Sequence, residues 1–327
     1  MKVAHWTILN GSGMHRVAES LAQAETANGT ESLVCDPSNT ETWEAGVDAD
    51  VHVCHTHIPD SMTTRGTKPF KKVWVAHGTP ENVIHTAFDA VAKGGYGQAD
   101  ALMLMQYHLR TSDARVTFWD RHAELYRTMV DRSTMVDCVP LGVDKTFWTK
   151  QDTQGKYAGS PSVFTAENQH RIKWVLDLLL AWPLVTKQLQ DATLHAPYLP
   201  HDHHRILFPL ANANGAGYKA HLSPVAFDHP TLRNALCSTD FFVGLVRYGD
   251  FNRLCLEANA TGATTVSYAG NPYSDYWVPE GDQRALASAL VDIFTGKTQK
   301  REKSPVPDVR DTATAMQAIY ERILTTH

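Results

Sequence analysis

A chain of 327 residues with 43% hydrophobic and 20% charged residues has ordinary globular composition, which excludes a disordered or fibrous protein and suffices for two domains of roughly 150 residues. The formal net charge of -5 provides no overall basic field, so indiscriminate attraction to nucleic-acid phosphates or anionic lipid is excluded as a global property. The five cysteines, Cys35, Cys54, Cys138, Cys237 and Cys255, are scattered and odd in number, and they read as small hydrophobes of a reducing, cytoplasmic compartment rather than as a disulfide framework.

In chain order, the first half alternates short apolar runs with amphipathic stretches: Val3 to Leu9, a glycine turn, His15 to Ala27, Ser32 to Cys35, Val51 to His55, Val73 to Ala76, Ala101 to Met105 and Val136 to Val139. That alternation predicts parallel strands with crossover helices. From Lys150 to Ser160 the sequence KQDTQGKYAGS is polar with no apolar period, which predicts a linker. The pattern restarts with Ser162 to Thr165, a helix from Lys173 into Trp182, Thr193 to Ala196, Phe241 to Val246, a helix from Leu254 to Thr261, and Thr264 to Ser267. Gln283 to Phe294 and Thr312 to Leu324 have helical spacing, and the charged TGKTQKREKSPVPD between them reads as an exposed connector. The expected organisation is an N-terminal doubly wound α/β domain over residues 1–149, a linker at 150–160 and a second such domain over 161–327, whose last helix packs back on the first. The longest apolar run, Val175 to Val185, is interrupted by Asp177 and Pro183, and no long apolar stretch follows Lys2, so neither a membrane span nor a signal peptide is expected.

Four segments carry chemistry. Asn10-Gly11-Ser12-Gly13-Met14-His15-Arg16 follows a strand and opens a helix, where glycines let backbone amides approach an anion. Arg16 stands where a dinucleotide fingerprint needs a third glycine, and alone the loop fits a ligand-free turn equally well. His55, His57 and His77 stand at the ends of apolar runs, where an imidazole can donate to a sugar hydroxyl or shuttle a proton; satisfaction by backbone is the plainer reading of the first two. In Asn168-Gln169-His170-Arg171-Ile172-Lys173, cations at a helix start oppose the dipole unless an anion such as a diphosphate sits there. Finally, Val246 to Ala258 runs from a strand through Gly249, Asp250, Phe251, Asn252 and Arg253 into a helix bearing Glu257 among apolar neighbours, where a carboxylate needs a specific partner or faces solvent.

Together these segments resemble, in order and through both halves, the retaining GT-B glycosyltransferases of the large sequence family 4. VPLGVDKTFW resembles the family's "IPNGVD…F", KWVLDLLLAW its "KGVDLLLEAW", YGDFNRLCLEANATGATTV its "YEGFGLVLLEAMACGTPVV", and GNPYSDYWVPEGD the segment that follows; VAHGTPENV carries the histidine. The resemblance implies a GT-B architecture, two Rossmann-like domains facing a cleft, with a nucleotide-sugar donor, UDP- or GDP-linked, held mainly by the second. It implies that Lys173 neutralises the donor diphosphate, that Glu257 binds the donor ribose, and that His77 contacts the donor sugar. Gly11, Gly13, Asn168, Arg171, Phe251, Asn252 and Arg253 complete the expected donor contacts. Gly249 replaces the family's first glutamate and Asn168 its usual arginine, so either Asp250 takes over the sugar contact or a different sugar is held, while Arg171 supplies the lost charge.

The implied reaction retains anomeric configuration by front-face attack in which the leaving phosphate helps remove the acceptor proton, without metal or protein nucleophile, and domain closure excludes water. Lys68 to Lys72 reads as a solvated strand approach, so membrane association is not expected and the acceptor is a soluble hydroxyl of a glycan, small molecule, protein or hydroxylated DNA base. Competing readings are a GT-B epimerase or phosphorylase and a non-catalytic nucleotide-sugar-binding protein. His201-Asp202-His203-His204 contains zinc-ligating residue types, but a polar loop is the plainer reading.

Overall fold

The computed structural model describes residues 1–9, 11–55, 69–85, 101–131, 134–152, 157–166, 175–197, 219–222, 227–247 and 252–326. The chain divides into two compact units, Met1–Asp144 with Pro307–His327, and Lys145–Val306. His57, Asn168, Arg171, Lys173, the group His201-Asp202-His203-His204, Asp250 and Phe251 lie outside the described residues.

In the first unit, β1 (Lys2–Trp6), β2 (Glu31–Cys35), β3 (Val51–Cys54), β4 (Lys71–Ala76), β5 (Ala114–Thr117) and β6 (Asp137–Cys138) form one parallel sheet in the order β2-β1-β3-β4-β5-β6. Strands covered on both faces require nearly continuous apolar sequence, and β3 is buried at every position. The described helices beside them are α1 (Gly13–Ala27), α2 (Thr40–Gly46), α3 (Ala101–Thr111) and α4 (Asp120–Arg127). Ser12 caps α1, its hydroxyl accepting from His15 N, and Gly29 with φ +90 follows its end. Between these stops Val17, Leu21 and Ala24 fall on one helical face and are buried.

One expected strand is a helix. Ala101 to Met105 is the first turn of α3, and the strand stands at Ala114–Thr117 instead. Alanine, leucine and methionine are strong helix formers, and only beyond Met105 does the buried pair Met105 and Leu109 display helical spacing. The core of this unit gathers Trp6, Cys54, Trp74, Met105, Leu109 and Tyr126, with Trp74 edge-on to Tyr126 at 5.3 Å.

The second unit places β7 (Ser162–Phe164), β8 (Thr193–Ala196), β9 (Ala220–Leu222), β10 (Phe241–Gly244), β11 (Thr264–Tyr268) and β12 (Tyr276–Val278) in a parallel sheet ordered β12-β11-β10-β7-β8-β9. Its described helices are α5 (Val175–Thr186), α6 (His229–Cys237), α7 (Arg253–Ala260) and α8 (Gln283–Phe294). Leu178, Trp182 and Val185 of α5 pack with Leu286 and Leu290 of α8 and with Leu194, Val243 and Val266 of the sheet. The charged stretch after α8 is mostly exposed, but Arg301 stacks on Trp277, 3.3 Å from the ring centroid, and Lys303 donates to Asp275 Oδ1 at 2.8 Å.

The chain then re-enters the first unit and ends in α9 (Val309–Thr325), capped by Asp308. Val143 and Asp308 form a parallel bridge beside Gly142, where a Cβ would stand 2.2 Å from Asp308 O. Only glycine permits that approach. Val309 and Ala313 pack on Ala24 of α1, and Arg322 pairs with Asp137 through two bonds of 3.1 and 2.5 Å. All five cysteines are free; Cys35, Cys54 and Cys255 are buried, and burial pushes the Cys35 and Cys138 thiols up to about 12. Among the described residues no helix is long and apolar enough to cross a membrane.

Candidate functional site

In open parallel sheets, ligands bind beyond the carboxyl ends of the strands, where the strand order reverses. In the first unit that point lies between β1 and β3, and in the second between β7 and β10. The sequence-predicted residues that are described stand on loops and helix starts at these ends.

In the first unit, Gly11 adopts φ +70 and donates its N–H to His15 Nδ1 at 2.9 Å, while His15 Nε2 lies 3.2 Å from Glu19 Oε1. The loop is therefore tied to its own helix. Gly13 begins α1, and neither its backbone nor any heavy atom within 4 Å requires a glycine there. Such open space leaves room for a ligand to approach the backbone. Thr7, fully buried just past β1, keeps a hydroxyl without a hydrogen-bond partner among the described residues. Sequence reasoning missed it, since a threonine beside an apolar run reads as strand.

His77 follows β4 and is half-buried, ahead of Thr79, whose hydroxyl accepts from Asn82 N at 3.1 Å. Its Nε2 meets His55 Nδ1 at 2.8 Å, and His55 Nε2 meets His5 Nδ1 at 2.9 Å. His55 is thus satisfied by two imidazoles rather than by backbone. Burial, with the neighbouring charges of His77 and His5, holds His55 well below the ordinary histidine value and keeps it neutral.

In the second unit, Asn252 is the N-cap of α7, its Oδ1 accepting from Leu254 N at 2.9 Å. Its amide covers Gly244, where a Cβ would stand 2.3 Å from Nδ2. Arg253 opens the helix and Glu257 lies one turn on, with Arg253 Nε 3.0 Å from Glu257 Oε1. A cation at a helix start opposes the dipole, and the carboxylate at i+4 offsets it. Glu257 is 2% exposed, so the solvent-facing alternative does not describe it.

A narrow crevice at the ends of β10 and β11, without room for a water molecule, is lined by Gly244, Val246, Asn252, Ser267, Tyr268 and Asn271. Asn271 is buried, and its Nδ2 has no hydrogen-bond partner among the described residues. Below the crevice, Asp177 of α5 accepts from Arg247 Nη2 at 2.6 Å, Arg247 Nε at 3.0 Å and Tyr268 OH at 2.5 Å. Burial works against the Arg247 charge, but the bonds and charge of Asp177 outweigh it and hold that guanidinium above its ordinary value. The sequence carried Asn271 within GNPYSDYWVPEGD and Arg247 within the run from Val246 to Ala258, but singled out neither. Among the described residues no group of three or more His, Cys, Asp and Glu is arranged to hold a metal ion.

Solved structures share this architecture along the whole chain. Sucrose-phosphate synthase from Thermosynechococcus elongatus superposes with a TM-score of 0.68 at 14% identity, over 99% of this chain and 96% of that one. A glycosyltransferase from Rickettsia africae ESF-5 gives 0.68 at 11% identity, over 100% and 99%. This is the GT-B fold. Anabaena HepE in complex with UDP and glucose gives 0.65 at 10% identity, over 99% of this GT-B chain and 97% of that one. No family model and no curated protein matches the sequence.

Proposed function

We propose that this GT-B chain transfers a glycosyl group from a nucleoside-diphosphate sugar to a soluble acceptor hydroxyl with retention of anomeric configuration. The observation that carries the reading is Glu257, a buried carboxylate on the helix after β10, in a chain that superposes end to end on GT-B glycosyltransferases. A UDP-sugar is the preferred donor, because HepE, of the same fold, is seen with UDP-glucose. Five free cysteines favour a reducing, cytoplasmic setting.

In this reading Glu257 holds the donor ribose, and Gly11, Gly13 and the amides at Phe251, Asn252 and Arg253 approach the donor. Asn271 Nδ2 is a further donor for it. Departure of the nucleoside diphosphate builds negative charge, which Lys173 and Arg171 stabilise electrostatically. His77 contacts the sugar, and Asp250 takes the place of the carboxylate absent at Gly249.

The test incubates the protein with radiolabelled UDP- and GDP-sugars and a panel of glycans, small molecules, proteins and hydroxymethylated DNA. Label should move to one acceptor class and fall by ~100-fold or more in Lys173→Ala, which removes the charge on the leaving group. Donor binding with neither transfer nor slow hydrolysis would establish a binding protein instead.

A further inference from the structure

Asp177 is the one charged residue in the apolar run from Val175 to Val185, and it is buried. A buried carboxylate is unfavourable unless it is paired, and a buried ion pair adds little stability that apolar packing of the same volume would not supply. The helix does not need it to dock. Leu178, Leu179, Trp182 and Val185 already seat α5 in the core. The charge therefore calls for a role other than holding the helix down, and its partners indicate which.

Arg247 Nη2 donates to both carboxylate oxygens, at 2.7 Å to Oδ1 and 2.6 Å to Oδ2, while Nε donates to Oδ2 at 3.0 Å and Tyr268 OH at 2.5 Å. A planar guanidinium on a carboxylate fixes orientation as well as distance. Asp177 lies in the first turn of α5, Arg247 follows β10, and Tyr268 ends β11. β7 and β10 bound the switch point, and right-handed crossovers send the helices that follow them to opposite faces of the sheet. Accordingly α5 packs with α8, and α7 with α6. One carboxylate joins the two sides of the switch point.

The groups proposed to meet the donor flank this junction in the chain. Arg171 and Lys173 precede Asp177, Lys173 by four residues. Residues 248–251 run from Arg247 to Asn252, whose Oδ1 caps α7. The chain enters that segment from a residue held by Asp177 and leaves it through a helix cap.

We propose that Asp177 is a positioning residue of the donor site, fixing the cations ahead of α5 against the segment that follows Arg247. The inference rests on the glycosyl-transfer reading for the identity of the donor. In the transfer step the diphosphate gains charge as its bond to the anomeric carbon breaks, so its cations and the sugar contacts must be aligned in one geometry. A displacement of about 1 Å costs on the order of 100-fold in rate. Asp177 acts through Arg247 and Tyr268, which occupy its oxygens.

The test measures transfer kinetics, UDP affinity by calorimetry and Tm in the full chain. Asp177→Asn keeps the side-chain shape and removes the charge that holds the guanidinium; it should lower kcat about 30-fold or more and weaken UDP binding by no more than about fivefold. Arg247→Lys, which puts a point charge in place of the planar fork, should lower kcat in the same way, and the double variant should be no slower than Asp177→Asn. A residue that served the fold alone would lower Tm and leave the kcat of the folded enzyme unchanged. A kcat within about threefold of wild type in Asp177→Asn, or additive losses in the double variant, overturns the inference. Arg247→Lys and Tyr268→Phe serve in the same way if Asp177→Asn does not fold. Hydrogen exchange separates the inference from the reading beneath it. Saturating UDP should protect the first turn of α5 and the start of α7 together in wild type, whereas in Asp177→Asn protection at α5 should fall below about half while that at α7 persists. Equal protection of both in the variant overturns the positioning role. Joint protection confined to wild type, with no sugar moved from any donor, keeps the positioning role and rejects the transfer reading; UDP that protects neither helix in wild type rejects both.

Discussion

At the scale of single residues, Gly13 and Glu257 separate binding from folding in opposite ways. Gly13 has no neighbour that a methyl group would strike, so Gly13→Ala should leave stability within about 1 kcal/mol in urea unfolding. If the space belongs to a ligand, donor affinity by calorimetry should nevertheless fall roughly tenfold, a loss of about 1.4 kcal/mol. Glu257 is already engaged with Arg253. Glu257→Gln keeps its volume but removes the charge, and should weaken UDP binding by about tenfold with a further stability cost of roughly 1 to 3 kcal/mol from the half-buried guanidinium. UDP affinity equal to wild type would sink the ribose role.

Buried titratable groups also give the first unit an acid limit: His5 Nε2 lies 2.8 Å from Glu25 Oε2, and Tyr320 OH donates to Glu25 Oε1 at 2.9 Å. Glu25, with a lowered native value, stabilises the fold above the ordinary glutamate pKa and loses that contribution as pH falls through the lower native one. His55 is likewise depressed, so below about 6.5 the unfolded chain takes up a proton that the native one refuses. Both act in the same sense. Thermal stability should hold above about pH 7, decline from about 6.5 downward and steepen below the carboxylate range. His55→Gln should remove the upper part of that decline in calorimetric scans.

Elements differ in how much of themselves they show in sequence. Val51–Cys54 and Phe241–Gly244 are legible because strands covered on both faces read as nearly continuous apolar runs, interrupted in the first only by the buried His52. Ala220–Leu222 and Tyr276–Val278 are three residues each, too short for any period to register, and the sheet alone defines them. Ala101–Met105 misleads because an apolar run of five fits either state until Leu109 supplies the next turn. Among site residues, the position of Glu257 was legible from its apolar setting. The contacts of His5 and Glu25 were not, since they join residues on separate elements whose local patterns read as strand and helix. Gly142 makes a testable case at this scale. Its place in VPLGVDKTFW reads as motif, but the structure gives a local reason: a Cβ there would enter the backbone of residues 308 and 309. Gly142→Ala should cost on the order of 2 kcal/mol or more through overpacking, read as faster hydrogen exchange in α9 and β6.

Over the whole molecule, two sheets of the same parallel class differ in order, β2-β1-β3-β4-β5-β6 against β12-β11-β10-β7-β8-β9. The class was legible from alternation of runs; the order was not, because strand sequence does not say on which side the next crossover lands. Removing residues 307–327 should raise hydrogen exchange throughout the first unit, where Glu25 would lose Tyr320, while leaving α5 and α8 protected in the second. Uniform loosening of both units would show that they do not fold separately.

The bridge between Val143 and Asp308 has a consequence for the order in which the protein is made. A ribosome delivers the six strands of the first sheet early, but α9 emerges only after the roughly 160 residues of Lys145–Val306, a wait of about 10 to 30 s at ordinary elongation rates. During that interval Ala24 and the Glu25 side of α1 have no helix over them. The nascent first unit is therefore the stage at which a chaperone that holds exposed apolar surface would find its target.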